Sequence, residues 1–327
     1  MSKPAVVKPK KWYHAPPWLR PYTSWALYAL LRMWATIIEC FPVDANLLTA
    51  RCIGRIWWMI SPPHRRKTVL HLARAYRGQY PRSELLRIGR ESFEHWTQVF
   101  LVELVMSPRL LNRWSWSRYV ELRDLGPALI ELLRGGAVMI TPHFGNFELL
   151  GFTLCRLGVP LTAVMRPLDN ERMNDWLVRT RAASGLRLLY KQGATEEAES
   201  IVTSGTPLCF IADQDAGPKG YFVRFFNRPA STYKSIALLA IRHRTPVICG
   251  YAARTRKGFH YRFAVERVIR PEEWESRDDA PLWLTQEFST AMENSIRKFP
   301  EQYLWIHRRW KNQPKKKMAN SELRIAN

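Results

Sequence analysis

The chain has 327 residues, with 50 lysines and arginines against 28 aspartates and glutamates, so its formal net charge is +22. Hydrophobic residues make up 46% of the chain and aromatic residues 12%, which is enough apolar material for a packed core and excludes global disorder. Such a positive charge attracts polyanions: nucleic acid, an anionic membrane surface, or an acidic protein or phosphate-bearing substrate. The charge alone does not choose among them.

The N-terminal part of the chain is basic and then apolar. Residues 1–17 contain four lysines and are expected to form a basic flexible tail. Residues 18–45 are expected to contain a membrane-anchoring helix, whose apolar stretch is just long enough to span a bilayer, although Arg32 in its middle would be costly there. Three forms stay open: a spanning helix, a helix lying in the membrane interface, and an ordinary core helix of a soluble domain.

A helical section is predicted over residues 46–135. Apolar residues recur there at spacings of three and four, as in Phe93, Trp96, Phe100 and Leu104. Proline pairs and single prolines punctuate the pattern, as expected where one helix ends and the next begins.

After Gly136 the pattern changes to short apolar runs that alternate with helical segments. Strands are predicted at residues 137–141, 160–165, 186–190, 208–212 and 246–252, and helices at residues 147–157, 170–184, 195–203 and 232–243. This alternation predicts an α/β core over residues 136–313, with a mixed, largely parallel sheet flanked by helices. Residues 259–268 are expected to add an antiparallel edge strand, and residues 314–327 to form a basic C-terminal tail.

The five cysteines are widely spaced and include no C-x-x-C pair, so neither a zinc site nor a disulfide framework is indicated. A reducing compartment fits this cysteine usage best. Cys209 lies inside an apolar run and is expected to be a small core residue rather than a catalytic thiol.

His143 and Glu148 follow the first predicted strand of the α/β core, where ligands gather in open sheets of this kind. Five residues on one continuous helix would separate the two side chains by about 140°, so they meet only if His143 lies on the turn and Glu148 in the first helical turn. Gly145 supplies the bend, and Asn146 is a plausible N-cap. A carboxylate beside a histidine orients the ring and raises its basicity, as proton abstraction from a nucleophile requires. On spacing alone, a structural histidine is the more common case.

Polar residues also follow two other predicted strands. Asp213 and Asp215 could bind a metal, orient a base, or bond the backbone amides of their own turn. Arg166 lies just beyond a strand, where its guanidinium could hold a phosphate or pair with Asp169 at the surface.

Five ordered segments carry a resemblance to a known family: residues 143–148 (HFGNFE), 166–170 (RPLDN), 212–218 (ADQDAGP), 225–232 (FFNRPAST) and 300–311 (PEQYLWIHRRWK). Over residues 18–314 the chain resembles the lipid A biosynthesis lauroyl/myristoyl acyltransferases, within the lysophospholipid acyltransferase superfamily. The resemblance implies His143 as general base, Glu148 as the carboxylate that orients it, and Arg166 as a phosphate-holding residue. Further substrate-binding residues implied by these segments are Asn146, Asp213, Asp215, Thr232, Arg308 and Arg309.

The expected reaction is transfer of a fatty acyl chain from a thioester, on acyl carrier protein or CoA, to a hydroxyl of a lipid A precursor or related glycolipid. The resemblance implies no metal and no organic cofactor, and a location on the cytoplasmic face of the bacterial inner membrane. No Gly-x-Ser-x-Gly elbow occurs, which argues against a serine acyl-enzyme. The expected partners are therefore the acyl donor, an anionic lipid or glycolipid acceptor, and the membrane surface.

Three alternatives stay open. A thioesterase would use water at the same histidine, and an acyltransferase of this kind could serve another lipid acceptor. A basic membrane-binding or nucleic-acid-binding protein without catalysis is the third. The absence of RRM, KH and zinc-finger patterns argues against its nucleic-acid form, so no nucleic-acid partner is expected.

Overall fold

The structure, a computed structural model, describes residues 19–190 and 194–314. The expected tail at residues 1–17 lies outside this range, as do residues 315–327 of the expected C-terminal tail. The first helices are α1 (Arg20–Glu39), α2 (Val43–Ile60), α3 (Pro62–Tyr76), α4 (Arg82–Gln98) and α5 (Leu104–Leu110), with a π-helical turn at Val99–Glu103. Pro62 begins α3 and Pro81 precedes α4, because the fixed φ of proline suits the first turn of a helix.

Seven strands form the main sheet, in the order β1-β9-β8-β2-β5-β3-β4. Their bounds are β1 (Val120–Arg123), β2 (Val138–Thr141), β3 (Thr162–Met165), β4 (Arg187–Tyr190), β5 (Leu208–Ile211), β8 (Val247–Arg254) and β9 (Tyr261–Ile269). β8, β2, β5, β3 and β4 are mutually parallel, whereas β9 runs antiparallel to β8 and parallel to β1. The prediction of a mixed, largely parallel sheet is therefore confirmed.

Helices cover both faces of this sheet. They are α6 (Gly126–Gly135), α7 (Phe147–Arg156), α8 (Glu171–Ala182), α9 (Ala194–Thr203), α10 (Lys234–Arg242) and α11 (Ala280–Lys298). Alternate strand residues face opposite ways, so Val138 and Val247 pack in the core that includes α10 and α11, whereas Ile248 packs with Ala128 of α6. Strands that are buried on both faces have continuous apolar sequences, and for this reason the sequence pattern predicted them.

Three features of the sheet differ from expectation. β1 lies within residues 46–135, where helices were expected, because a four-residue strand with three exposed residues has too little apolar pattern to detect. β9 is antiparallel as expected, but it lies between β1 and β8 rather than at the edge. A separate hairpin, β6 (Tyr221–Phe225) and β7 (Arg228–Thr232), turns through Phe226 and Asn227 in the left-handed region.

The helix expected to anchor the chain is α1, which is docked on the rest of the protein by one side. Ala35 and Ile38 are buried, and the Trp34 indole donates a hydrogen bond to the Leu101 carbonyl oxygen at 2.8 Å. Within the described ranges, no helix has both the length and the apolar character needed to cross a membrane. The structure thus does not confirm the predicted anchoring helix.

The carboxyl ends of β2, β3, β5 and β8 meet at one edge of the sheet because these strands are parallel. His143 follows β2, Asp213 follows β5, and Arg166 follows β3. Open parallel sheets bind ligands beyond this edge, so the topology gathers side chains far apart in sequence at one place.

Candidate active site

The turn that carries His143 is held from several sides. The Leu304 amide donates to the His143 carbonyl oxygen at 3.1 Å, the Gly145 amide donates to the Gln302 carbonyl oxygen at 3.1 Å, and the Asn146 amide donates to the Ala252 carbonyl oxygen at 2.9 Å. Gly145 has φ +57°, and a Cβ at this position would lie 1.7 Å from the Ala252 oxygen. Only glycine fits so close an approach, so Gly145 does more than supply the bend expected from sequence.

Asn146 caps α7, as the sequence predicted. Its Oδ1 accepts a hydrogen bond from the Leu149 amide at 2.9 Å, and its Nδ2 donates to Glu103 Oε2 at 2.6 Å. Glu103 is fully buried, and it also accepts from the Tyr261 hydroxyl at 2.6 Å and pairs with Arg254. This network anchors the start of α7, so the structure places Asn146 in a positioning role.

The His143 ring is oriented by Asp213. Nδ1 of His143 lies 2.7 Å from Asp213 Oδ1, and the Asp213 carboxylate is fully buried. An ionised carboxylate only accepts, so Nδ1 carries the proton and Nε2 keeps its lone pair. Nε2 lies 3.4 Å from the Gln214 amide nitrogen. The ring is therefore held in the tautomer that can act as a base through Nε2.

Burial and charge act in opposite directions on this pair. Burial opposes the charged ring of His143, but the charge and hydrogen bond of Asp213, with a smaller effect of Glu148, raise the pKa of His143 above its usual 6.5. Burial likewise opposes the Asp213 anion, yet His143 outweighs it and holds the pKa of Asp213 at about 2. Asp213 is thus ionised throughout the physiological range and stabilises a protonated His143.

Glu148 lies in the first turn of α7, as the spacing required, but its direct partner is Arg181 of α8. Arg181 Nε donates to Glu148 Oε2 at 2.9 Å, and its Nη2 contacts the other carboxylate oxygen. Both side chains are largely buried, at 16% and 13% exposed. The orienting contact expected from Glu148 is therefore made by Asp213, since β5 lies beside β2 and brings Asp213 next to the His143 ring.

Two side chains that sequence reasoning missed complete the surroundings of His143. The His307 ring stacks on the His143 ring, with centroids 6.3 Å apart and planes 18° apart. Burial lowers the pKa of His307, which disfavours a second charged ring beside His143. Burial, with a further effect of the Asp213 charge, raises the pKa of the Tyr303 hydroxyl well above its usual value. His307 and Tyr303 both lie in the last of the five segments, but only the fold shows that their side chains lie beside His143 and Asp213.

Asp215, Thr232 and Arg309 tie the loop after β5 to the C-terminal segment. Asp215 Oδ2 accepts from the Asn312 amide at 3.0 Å. Arg309 is buried and donates to the Ser231 carbonyl oxygen at 2.5 Å and to Thr232 Oγ1 at 2.6 Å. These contacts hold the loop after β5, which carries Asp213, against the C-terminal segment.

Arg166 and Arg308 lie at the surface. Arg166 is 57% exposed in its side chain and pairs with Asp169 at 3.0 Å, which is the surface ion pair that the sequence left open. Arg308 is exposed beside His307. Within the described ranges, no group of three or more histidine, cysteine, aspartate or glutamate side chains could hold a metal ion.

An apolar pocket runs along one face of the sheet beneath α6 and α7 and is lined by residues that flank His143 in the sequence. Phe147 belongs to its wall and also contacts the His143 ring edge-on, with centroids 5.5 Å apart. The Glu148–Arg181 pair also lines the pocket. Its apolar lining includes Leu129, Leu132, Leu150, Leu154, Leu161 and Val265. The pocket therefore offers a hydrocarbon environment one side chain away from the His143 ring.

Comparison with known proteins agrees with this geometry. Residues 17–312 match the family model of bacterial lipid A biosynthesis acyltransferases. A lipid A biosynthesis palmitoleoyltransferase of Escherichia coli (strain K12) is 26% identical over 181 residues, which are 55% of this chain and 57% of that protein. A lipid A biosynthesis lauroyltransferase of the same strain is 26% identical over 212 residues, which are 63% of this chain and 65% of that protein.

A relative named for a different lipid also matches. A phosphatidylinositol mannoside acyltransferase of Mycolicibacterium smegmatis is 26% identical over 164 residues, which are 48% of this chain and 52% of that protein. The chain thus spans between about half and two thirds of the length of the curated relatives it matches.

Proposed function

Since this chain belongs to the bacterial lipid A biosynthesis acyltransferase family, we propose that it transfers a fatty acyl chain from a thioester to a hydroxyl of a glycolipid. The observation that carries the proposal is the His143 ring, held at Nδ1 by buried Asp213 and bordering an apolar pocket. A lipid A precursor or related glycolipid is the proposed acceptor because relatives are named for lipid A and for phosphatidylinositol mannoside. The proposed donor carries the acyl chain on acyl carrier protein or CoA.

His143 acts as the general base in the proposed reaction. Its Nε2 takes the proton of the acceptor hydroxyl while the oxygen attacks the thioester carbonyl carbon. The resulting imidazolium is stabilised by the Asp213 anion, in line with the raised pKa of His143. The tetrahedral intermediate then expels the thiolate, which takes the proton back from Nε2. Acyl ester and free thiol are the products, and no acyl-enzyme is formed.

The developing oxyanion needs donors that the fold has not already used. The amides of Phe144, Gly145 and Asn146 each donate to a backbone oxygen. The amides of Phe147 and Glu148 have no such partner in the described chain. They lie at the positive end of α7, and we assign the oxyanion to this helix start.

The acyl chain of the donor is proposed to occupy the apolar pocket. Burial of each methylene contributes about 0.8 kcal/mol, so a long chain supplies enough binding energy to hold the thioester beside His143. The Glu148–Arg181 pair lies at the pocket, and the Glu148 charge contributes a small part of the raised pKa of His143. We therefore assign Glu148 an electrostatic and shaping role, while Asp213 orients the ring.

Membrane association is proposed through the outer sides of α1 and α2, in the interfacial form. Trp25 is 58% exposed and Leu30 is 56% exposed on α1, while Met59 is 69% exposed and Ile60 is 73% exposed on α2. Apolar side chains of this kind enter the boundary between headgroups and acyl chains, and the net charge of +22 favours anionic lipids. We place the enzyme on the cytoplasmic face of the bacterial inner membrane.

The test is product analysis by mass spectrometry, with an acyl thioester and a lipid A precursor as substrates. The wild-type protein is expected to add one acyl chain to the acceptor, and His143→Ala is expected to lose about a thousandfold in rate. His260→Ala, in the turn between β8 and β9, is the matched control and should retain activity. Release of free fatty acid without acylated acceptor would instead indicate a thioesterase, and full activity of His143→Ala would contradict the proposal.

A further inference from the structure

Five cationic side chains on and beside α3 form what we call the α3 basic surface: Lys67, Arg74, Arg77, Arg228 and Arg308. None of them makes an ion pair with any residue in the described ranges. Lys67 and Arg74 are seven residues apart, two helical turns, and so share one side of α3. Like charges this close repel each other, so the surface is poised for an anionic partner.

Contacts and electrostatic effects show that the five cationic side chains lie close together. Arg77 donates to the Asn227 carbonyl oxygen at 2.7 Å, which places it at the turn before Arg228. Arg74 and Arg77 both lower the pKa of Arg228 beyond the effect of its burial. Besides burial, Arg74, Lys67 and Arg308 all lower the pKa of His71.

Arg51 and Arg55 of α2 and Arg87 of α4 behave differently. Arg87 pairs with Glu84 and Glu91, and Glu94 is shared by Arg51 and Arg55. Positive charge in this neighbouring region is therefore compensated within the protein. The unpaired charge of the α3 basic surface is a local feature rather than a consequence of the overall composition.

The α3 basic surface borders the active site. His71 of α3 bonds the Trp305 carbonyl oxygen through Nδ1 at 2.8 Å, and its ring contacts the Trp310 ring. The segment between these tryptophans contains His307, which stacks on His143, and Arg308 follows directly. A partner bound at the surface would therefore lie beside the catalytic ring.

We propose that the α3 basic surface docks a small acidic protein that carries the acyl chain as a thioester on a flexible arm. The inference rests on the proposed function, because the docked protein supplies the thioester of that reaction, and it adds the surface at which this protein binds. Charge complementarity at such a surface mainly accelerates association and fixes the orientation of the partner. The arm then delivers the thioester to His143 while the protein itself stays at α3.

The size and chemistry of the surface favour a protein over the other anions. Lys67 to Arg77 alone extends about 15 Å along the helix, more than one phosphate group covers. A lipid bilayer is a less suitable partner for this surface. Of the large apolar side chains, α3 exposes Leu70, at 47%, whereas α1 and α2 each expose several. Membrane-binding helices combine cations with apolar side chains that insert.

The experiment compares three donors that carry the same acyl chain: an acidic acyl carrier protein, CoA, and uncharged N-acetylcysteamine. The double charge reversal Arg74→Glu/Arg77→Glu is expected to raise KM for the carrier-borne donor roughly tenfold and to flatten its salt dependence. Turnover of the N-acetylcysteamine thioester should stay within about twofold of wild type, which would show that the fold and the catalytic site are intact. Arg256→Glu/Lys257→Glu changes the charge equally at an exposed turn and is expected to match wild type.

Several outcomes would overturn the inference. Equal loss with all three donors would indicate a structural role, and loss with both carrier and CoA would indicate binding of the phosphate they share. Reduced sedimentation with anionic phospholipid vesicles, with donor KM values unchanged, would indicate a membrane contact. If wild type turns over no thioester, the proposed function fails; fluorescence anisotropy with labelled carrier protein then still tests the surface, and equal affinity of wild type and variant would reject it.

Discussion

Two largely buried carboxylates lie near the same histidine, and they differ in the side chain to which each is hydrogen-bonded. Asp213 contacts the His143 ring directly at Nδ1, whereas Glu148 pairs with Arg181 and affects the ring only through its charge. The first arrangement fixes a tautomer and stabilises a charged ring, whereas the second forms an ion pair in the wall of an apolar pocket. The comparison teaches that short sequence spacing to a histidine does not decide which carboxylate orients it.

Among the substitutions at these two carboxylates, Asp213→Asn should have the largest effect on kcat. The amide can donate to Nδ1 of His143, which moves the ring proton to Nε2 and removes the base, so we expect kcat to fall about a thousandfold. Steady-state kinetics on the folded variant measure the effect. Asp215→Asn is the matched control, because that residue binds Asn312 and is expected to change stability more than kcat. Near-normal kcat for Asp213→Asn would remove Asp213 from the mechanism.

Arg181→Met should give the largest loss of stability. The substitution leaves the Glu148 carboxylate buried without its partner, which we expect to cost about 3 kcal/mol in the free energy of unfolding. The double variant Glu148→Gln/Arg181→Met removes both charges and should recover part of the loss. Urea unfolding compares the two, and equal stability of the single and double variants would show that the carboxylate does not depend on Arg181.

Glu148→Gln should have a smaller catalytic effect than Asp213→Asn. The glutamine keeps the shape of the side chain but removes the charge near the imidazolium, so we expect kcat/KM to fall about tenfold, a loss of about 1.4 kcal/mol in transition-state stabilisation. The same assay measures it. A loss as large as that of Asp213→Asn would return the orienting role to Glu148.

The pH profile should show the smallest but most specific difference. The base must be neutral, so kcat/KM is expected to rise through the pKa of His143, with a midpoint above 6.5 in wild type. Asp213→Asn removes the main raising influence and leaves burial, so its midpoint should fall below 6.5, whereas Glu148→Gln should lower it less. Unchanged midpoints in both variants would show that another group controls the profile.

The thermal stability of the protein should also depend on the protonation of His143. A raised folded-state pKa means that the attraction between charged His143 and Asp213 stabilises the fold fully below about pH 6.5 and is lost as the pH rises through the folded-state pKa. The Tm difference between wild type and His143→Gln should therefore be larger at pH 5.5 than at pH 8.5. A difference that grows with pH would contradict the assigned direction of the pKa shift.

Much of the fold and part of the site could be predicted from local patterns. The apolar runs of β2, β5 and β8 and the cap at Asn146 are local features, because strand burial, turn chemistry and N-capping act over a few residues. β1 could not be predicted, since its pairing with β9 joins segments about 140 residues apart. The sequence suggested His143 as the base with Glu148 as its orienting carboxylate, whereas the structure shows Asp213 in contact with the ring.

The sequence by itself determined the class of fold, the family resemblance and the candidate base, because each depends on which residue types occur a few positions apart. The tertiary structure decided the strand order that places Asp213 beside His143, the Glu148–Arg181 pair, and the position of His307. It also decided where part of the +22 surplus is left unpaired, since the fold shows that Arg87 and Arg90 of α4 have acidic partners and the arginines of α3 do not. The reason is that hydrogen bonds and ion pairs form between neighbours in space, and strand order and helix packing set those neighbours.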